Sequence, residues 1–286
     1  MKAQFDNQVL SSFLLWFDHT LLNVGEAYQN TTGQFYNVSQ EFAGYQTYAS
    51  SYSQIVSDAS ITGATIPTGL YVGSNLVNVG QGAGTGLYAI DYNNGRSYWS
   101  GEQGGDVTGS FSIKDFNTFL TNRTEDEILF QSQYTNRNKI SNVVPTGLEP
   151  DTKTYPVVYI KNDGSTNDPF AFGGQDSTVI DIRAIVIADS QFEIDAIGSL
   201  FRDQARKYFS LFEASEMPFD QFGYYRNGTQ YNYNTVVSSK NESQKCFLEE
   251  VNISRFDRVL ENEVRKFNPN VYSTLIDFEI SKVRIP

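Results

Sequence analysis

The chain has 286 residues, 40% of them hydrophobic and 19% charged, which is the composition of one large globular domain or two of ordinary size. Its formal charge of −12 argues against binding to bare nucleic acid or to anionic membranes, because like charges repel. The single cysteine, Cys246, excludes an internal disulfide framework and fits assembly in a reducing cytosol.

The first predicted element is an amphipathic helix over residues 8–24, and Gly25 marks its expected end. Its apolar residues recur at helical spacing and share one broad face: Val9, Leu10, Phe13, Leu14, Phe17, Leu21 and Val24. His19, the only histidine, lies in this helix. We expect it to be a surface or interface residue and not a ligand or base.

Residues 30–115 predict a β-rich module joined by tight turns. The Asn94-Gly95 pair is typical of a type I′ hairpin and would join LYAIDY to RSYWS. VTGSFSI, from Val107 to Ile113, predicts another strand. The glycine-rich run GQGAGTG, residues 80–86, predicts a flexible hairpin loop, because a phosphate-binding loop would lead into a helix and LYAIDY predicts a strand.

The following segments, DFNTFL and EDEILFQSQY, each predict a short helix or strand, and the acidic cluster at 125–127 predicts a solvated surface or a helix start. A polar, proline-containing stretch over 135–154 is the predicted junction between two modules. We therefore expect a helix plus β-rich module over 1–145 and an α+β module over 146–286.

The second module begins with a short predicted strand, PVVYI, and a predicted loop over 162–176. The strand Val179–Ala188 follows, with one wet face at its start and apolar residues on both faces at its end. The later half, including Ile185 and Ile187, should therefore lie between two coverings, such as a helix and a neighbouring subunit.

A long helix is predicted directly after this strand. Ser190 and Glu193 have the spacing of a capping box. The apolar face extends to Phe212, which implies about 22 residues and a rod of roughly 33 Å. Two further strands, CFLEEVNISRFDR and TLIDFEISKVRI, complete a β–β–α–β–β order, with a bulge or change of partner expected near Ser281. The predicted class is α+β, with a leading helix, a β-rich N-terminal module and a C-terminal antiparallel or mixed sheet crossed by one long helix.

The sequence predicts no catalytic, cofactor or metal site, and we expect a protein that is not an enzyme. Nucleophilic catalysis would have to use His19 or Cys246, which have no evident partners. The oxygen ligands of NDG at 162–164 lack the spacing of a calcium loop. The sequence does not exclude a glycan hydrolase, because two carboxylates distant in sequence could meet in the fold. Trp16 and Trp99 would suit stacking on sugars. No stretch reaches the roughly 18 apolar residues of a membrane span, so no membrane partner is expected.

Several segments resemble virion proteins of tailed bacteriophages: FLLWFDHTLLNVGEAYQN, ATIPTGLYVGSNLV, GLYAIDYNNGRSYW and SFSIKDFNTFL. The stretch PVVYIKN and the run DPFAFGGQDSTVIDIRAIVIADSQFEIDAIGSLFRD resemble the α+β module of neck and tail-completion proteins, closest to tail or sheath terminators. This resemblance implies a homo-oligomeric ring at the head–tail junction, a hexamer or alternatively a dodecamer. It also implies neck, tail-tube or sheath partners, DNA passing through the lumen without sequence-specific binding, and a virion location after assembly in the host cytoplasm.

Under this hypothesis the interface and packing candidates are Phe192, Phe201, Tyr208, Phe212, Ile185, Ile187, Phe170 and Phe172. Contacts with neighbours are expected from the loops 80–86, 162–176 and 218–234. The alternative is a baseplate- or fibre-associated adhesion module that binds glycans through exposed Trp99 or Tyr98.

Overall fold

Two large β-sheets and four helices make up the part of the chain that the computed structural model describes, which is residues 5–52, 54–80, 86–137, 153–171, 175–218, 230–256 and 271–284. The predicted α+β class with a leading helix is confirmed. The helices are α1 (Phe5–Asn23), α2 (Glu125–Thr135), α3 (Gln191–Arg202) and α4 (Tyr233–Ser238).

The first sheet has seven antiparallel strands in the order β4-β3-β7-β1-β2-β6-β5. Their bounds are β1 (Tyr28–Phe42), β2 (Tyr45–Ser50), β3 (Gly69–Val72), β4 (Asn75–Asn78), β5 (Leu87–Asp91), β6 (Arg96–Trp99) and β7 (Val107–Lys114). The sheet curls so that its ends approach, since the Gly80 amide donates a 2.9 Å hydrogen bond to the Leu87 carbonyl. Its concave face encloses a core that includes Phe35, Trp99 and Phe111.

The glycine-rich run 80–86 connects β4 to β5, which stand at opposite ends of the strand order. The prediction of a hairpin loop here is therefore wrong in its topology: it bridges the two ends of a curled sheet instead of two paired neighbours. Residues 81–85 of this loop lie outside the described residues.

The predicted hairpin between β5 and β6 is confirmed, but its turn has four residues. Asp91 accepts hydrogen bonds from the Asn93 and Asn94 amides at 3.2 Å, which closes the turn through a side chain. Gly95 is the turn residue with positive φ, at +61°. A Cβ at Gly95 would lie 1.8 Å from the Tyr52 carbonyl oxygen, so only glycine fits.

The second sheet has six strands in the order β13-β14-β15-β12-β11-β8, all antiparallel neighbours except the parallel pair β11 and β8. In chain order, including the two-stranded parallel pair β9 and β10, the bounds are β8 (Asn117–Leu120), β9 (Asn136–Arg137), β10 (Lys153–Thr154), β11 (Val157–Ala171), β12 (Gln175–Ala188), β13 (Tyr208–Ser210), β14 (Lys245–Ser254) and β15 (Tyr272–Arg284).

The predicted loop over 162–176 is wrong, because β11 and β12 continue as a long hairpin up to the pair Ala171 and Gln175. Two bulges, between Asn162 and Gly164 and between Pro169 and Ala171, accommodate residues that regular strands disfavour. The side chain of Phe170 and all of Phe172, both interface candidates, lie outside the described residues.

Helix α1 lies against the inner face of the second sheet, the face it shares with α3, and is buried on almost every side. Its aromatic residues join those of the sheet and of α3: Phe17 stacks on Phe201 with ring centroids 3.9 Å apart, and Phe13 meets Phe278 edge-on at 4.8 Å. A helix that is buried all round must lie inside a layered fold and not on its surface.

Helix α3 is shorter than predicted. Ser190 caps it by accepting the Phe192 amide, and it ends at Arg202 after 12 residues. The chain then turns through Arg206, with φ +62°, and joins the sheet as β13. The Arg206 amide donates to the Leu248 carbonyl, so hydrogen bonds to β14 replace those of a continuing helix.

The shorter α3 changes the roles of three of the four packing candidates predicted for this helix. Phe201 is fully buried on α3, whereas Phe192 is 80% exposed and Tyr208 61% exposed, so neither of the latter packs a helix onto the sheet. Phe212 is fully buried beyond β13 and is not part of a helix. Its backbone amide donates a hydrogen bond to the Ser12 hydroxyl at 2.9 Å.

The outer face of the second sheet, opposite α1 and α3, is covered in part by α2. Ile185 and Ile187 are fully buried there beside Ile128 and Leu129 of α2. The expectation of two coverings is met, but both belong to the same chain, so a neighbouring subunit over these two isoleucines is not supported.

The expected bulge near Ser281 is absent from β15, whose register with β12 is continuous from Tyr272 to Arg284. The register shift lies in β14 instead, between Leu248 and Glu250. The pairing of β15 with β14 ends at Ser281, but within the described residues no other strand takes the place of β14, so the alternative expectation of a change of partner is not met either.

The layers do not follow the predicted division at residue 145. Both α1 and β8, from the first half of the chain, belong to the core or the strand order of the second sheet. The predicted boundary itself, between 145 and 146, lies outside the described residues.

Replacing Phe201 by Ala should lower the free energy of unfolding by about 3–5 kcal/mol, because it removes a fully buried ring that stacks on α1. The matched control is Phe192→Ala on the same helix, whose exposed ring should cost less than about 0.5 kcal/mol. Urea denaturation of both variants measures the difference. Equal losses would contradict the described position of α3.

Candidate interaction surface

The only histidine is buried between three segments, which corrects the predicted surface or interface position. His19 of α1 is 8% exposed, and its Nδ1 lies 2.7 Å from Oδ2 of Asp58. Its ring also stacks on Tyr233 at the start of α4, with centroids 4.1 Å apart. The sequence pattern around residue 19 could not indicate this contact, because Asp58 lies 39 residues away in the sequence.

Ser60 completes a serine, histidine and aspartate group, but its geometry is not that of a catalytic triad. The Ser60 hydroxyl donates to Asp58 at 2.7 Å and lies 3.5 Å from the same His19 nitrogen that pairs with Asp58. A nucleophile must instead meet the ring nitrogen opposite the carboxylate. We therefore interpret the group as a structural hydrogen-bond cluster.

Asp58 is the centre of this cluster. Burial raises the pKa of its carboxyl, but hydrogen bonds from His19, from the Ser60 and Tyr233 amides and from the Ser60 hydroxyl outweigh burial and lower the pKa below 3.8. Its ionised form thus joins α1, the segment after β2 and the start of α4.

A second buried group connects α1 with the end of the first sheet and the start of the second. The Lys114 ammonium lies 2.7 Å from Asp18, which also accepts a hydrogen bond from the Thr118 hydroxyl at 3.0 Å. The Gln54 side chain then pairs with the Thr118 backbone, accepting from its amide and donating to its carbonyl at 3.2 and 3.1 Å. This side chain occupies the edge of β8 where another strand would otherwise bind.

Cys246 is fully buried at the start of β14. Burial raises the pKa of its thiol to about 12, so the reactive thiolate is scarce at neutral pH. No group of three His, Cys, Asp or Glu side chains within the described ranges is placed to hold a metal ion.

A belt of ion pairs crosses the outer face of the second sheet next to α2. Arg183 of β12 pairs with Glu125 at 2.9 Å and with Asp277 at 2.5 Å, while Lys161 of β11 pairs with Glu125 and Asp163. Burial raises the pKa of Glu125, but the two cations outweigh it and lower that pKa to about 2. The predicted helix start at 125–127 is confirmed, and Glu125 also anchors α2 to the sheet.

Beyond this belt and a row of exposed carboxylates, the outer face of the second sheet carries half-buried and exposed apolar side chains. We call this region the distal outer face and define it by Tyr208, Phe247, Val179 and Val283. Tyr208 and Phe247 are paired across β13 and β14 with ring centroids 4.9 Å apart, and Tyr208 and Val283 are 61% and 45% exposed. Of the sequence-predicted interface candidates whose side chains the structure describes, Tyr208 is the one that lies on this surface.

The first sheet exposes apolar side chains in two separate pairs, one on β3 and β4 and one on β2 and β5. Tyr71 and Leu76 face each other across β3 and β4, and they are 41% and 50% exposed. Tyr88 is 50% exposed and stacks on Tyr45 with centroids 4.2 Å apart. We call these four residues the first-sheet patch.

The aromatic residues predicted for glycan stacking are not on the surface. Trp99 is fully buried inside the first sheet, and Tyr98 is 5% exposed. Trp16, on the buried face of α1, is 7% exposed. The glycan-binding alternative therefore loses the residues that were predicted for it. Alternation alone could not have indicated that Trp99 faces inward, because Leu87 and Ile90 of the paired strand face the same core only through the register shift between Leu87 and Ala89.

None of the helices that the structure describes is long and apolar enough to cross a membrane. No protein-family model matches the chain, and a search of curated proteins finds no match.

Asp58→Ala should lower the free energy of unfolding by about 2–4 kcal/mol at neutral pH, because it leaves the buried Tyr233 amide, the partly buried Ser60 amide and His19 without their acceptor. The folded pKa of Asp58 lies below 3.8, so its ionic stabilisation is present above pH 3.8 and is lost as the pH falls through the folded value. The gap between wild type and variant should therefore narrow in acid.

Urea denaturation of the wild type and of Asp58→Ala, from neutral pH to below pH 3.8, measures this difference in stability. Asp203→Asn is the control, since its carboxylate is 75% exposed and its loss should change stability little at any pH. A gap that widens as the pH falls would contradict the lowered pKa of Asp58.

Proposed function

We propose that this protein is a structural subunit of a tailed-phage virion, located at the head–tail junction, where copies form a ring that terminates or joins the tail. The proposal combines the resemblance of both halves to neck and tail-completion proteins with one geometric observation. That observation is the presence of two different exposed apolar patches, one on each sheet.

A closed ring needs two different surfaces on each subunit, because its contacts are heterologous and repeat around an axis. The first-sheet patch and the distal outer face are two such surfaces. Both contain large apolar side chains, which stable monomers rarely expose together. They differ in composition and in the strands that form them. Each subunit can therefore present one patch to each neighbour, in a hexamer or alternatively a dodecamer.

The charge balance supports the same role. With a net charge of −12, the surface of such a ring would repel DNA, so that DNA passes through the lumen without being bound. Other neck, tail-tube or sheath proteins would bind the ring above and below. Assembly in the host cytoplasm and a final location in the virion follow from this role.

The purified chain should form rings that light scattering and negative-stain electron microscopy detect as six or twelve subunits. Leu76→Asp in the first-sheet patch and Tyr208→Asp in the distal outer face should each abolish the rings, because each places a charge in one side of the same contact. Phe130→Asp is the matched control, since Phe130 is 62% exposed on α2 and belongs to neither patch.

Circular dichroism of the three variants separates loss of assembly from loss of folding. A wild-type chain that stays monomeric at every concentration, or patch variants that still form rings, would contradict a ring closed through these two patches.

A further inference from the structure

Three carboxylates stand in one row across adjacent strands of the second sheet. Glu250 of β14 is directly opposite Glu279 of β15, which is directly opposite Asp181 of β12, and all three are exposed. Glu249, the extra residue at the β14 bulge, lies beside them and accepts a 2.6 Å hydrogen bond from the Ser281 hydroxyl. We call these four residues the carboxylate row.

The carboxylate row lacks cations of its own. The neighbouring row holds Lys161 and Arg183, but both are engaged by Glu125 and by Asp163 or Asp277. Within the described residues, no lysine or arginine forms an ion pair with any member of the carboxylate row. Like charges directly opposite each other destabilise a sheet, so the isolated chain holds this arrangement at a cost.

An apolar strip adjoins the carboxylate row on the same face. The residues Phe247, Ser281 and Val179 are directly opposite one another on β14, β15 and β12. Tyr208 stacks beside Phe247, and Val283 follows one position further along the face. The strip and the row lie side by side on one face, so the carboxylates directly adjoin apolar side chains.

We propose that this surface docks a protein partner that presents lysine or arginine side chains next to an apolar side chain. Charge complementarity selects this occupant, because cations would relieve the repulsion within the carboxylate row while the apolar group covers Tyr208 and Phe247. A second copy using the same face would bring carboxylates against carboxylates. Nucleic acid and anionic lipid are repelled for the same reason. This surface shares Tyr208 and Phe247 with the ring contact proposed above, so on one copy a docked partner and a neighbouring subunit exclude each other. Peptide binding and ring formation are therefore measured separately, and each can fail without the other.

The first test needs no partner. Glu279→Gln removes the central charge of the row, so the melting temperature of the full chain should rise by about 1–3 °C at low salt, and added salt should shrink that gain. Glu102→Gln, an exposed carboxylate in the loop before β7, is the matched control and should leave the melting temperature unchanged. A lower melting temperature for Glu279→Gln would overturn the proposal, because Glu279 would then be satisfied within the chain.

The second test measures docking with a fluorescent short peptide of alternating lysine and leucine as the probe. The full chain should bind it, and both the double variant Asp181→Asn/Glu279→Gln and Tyr208→Ser should weaken binding about tenfold, while Glu102→Gln keeps wild-type affinity. Amide chemical shifts that change around Phe247 and Glu279 would place the peptide on this face. Equal binding by all variants would overturn the proposal, as would saturable binding of calcium in place of the peptide.

Discussion

The burial of α1 is the constraint on which the rest of the structure depends. Phe17 stacks on Phe201 of α3, and Phe13 packs edge-on against Phe278 of β15. One aromatic cluster therefore joins α1, α3 and the second sheet. Each ring adds a large buried area, and such pairs add about 0.5–1.5 kcal/mol beyond that area. Because α1 comes first in the chain, the second sheet has no complete core until the two ends of the sequence have come together.

Polar contacts at the far end of α1 then fix the first sheet to this core. Asp18 and His19 are adjacent in sequence and point to different partners, Lys114 at the end of β7 and Asp58 after β2. Buried pairs of this kind add little net stability against an apolar alternative, but they are costly to break on one side. Their effect is therefore to specify one arrangement of α1 against both halves of the chain, and Gln54 extends that arrangement by capping the edge of β8.

Along its strands, the outer face of the second sheet changes from a buried end to an exposed end. At one end Ile185 and Ile187 lie beneath α2, and at the other Tyr208 and Phe247 are open. Between them come the satisfied ion pairs of Arg183 and then carboxylates without cations. A single sheet thus completes its own core at one end and leaves apolar side chains exposed at the other. The structural role proposed above would use that exposed end.

Local pattern in the sequence determined α1, the β5–β6 hairpin, β7, β12 and the two C-terminal strands, because alternation, helical spacing and turn residues act over short distances. It also indicated the cap at Ser190. Of the interaction surface it predicted only Tyr208, and for a different reason, since strand pairing at long range places Glu250, Glu279 and Asp181 in one row. Tertiary structure alone decided that α3 ends at Arg202, because residues 206–210 gain hydrogen bonds from the edge of β14 that a longer helix would forgo. The same holds for the extension of β11, which pairs along the full length of β12, and for His19, whose partner is distant in sequence and becomes its neighbour only when the chain has folded.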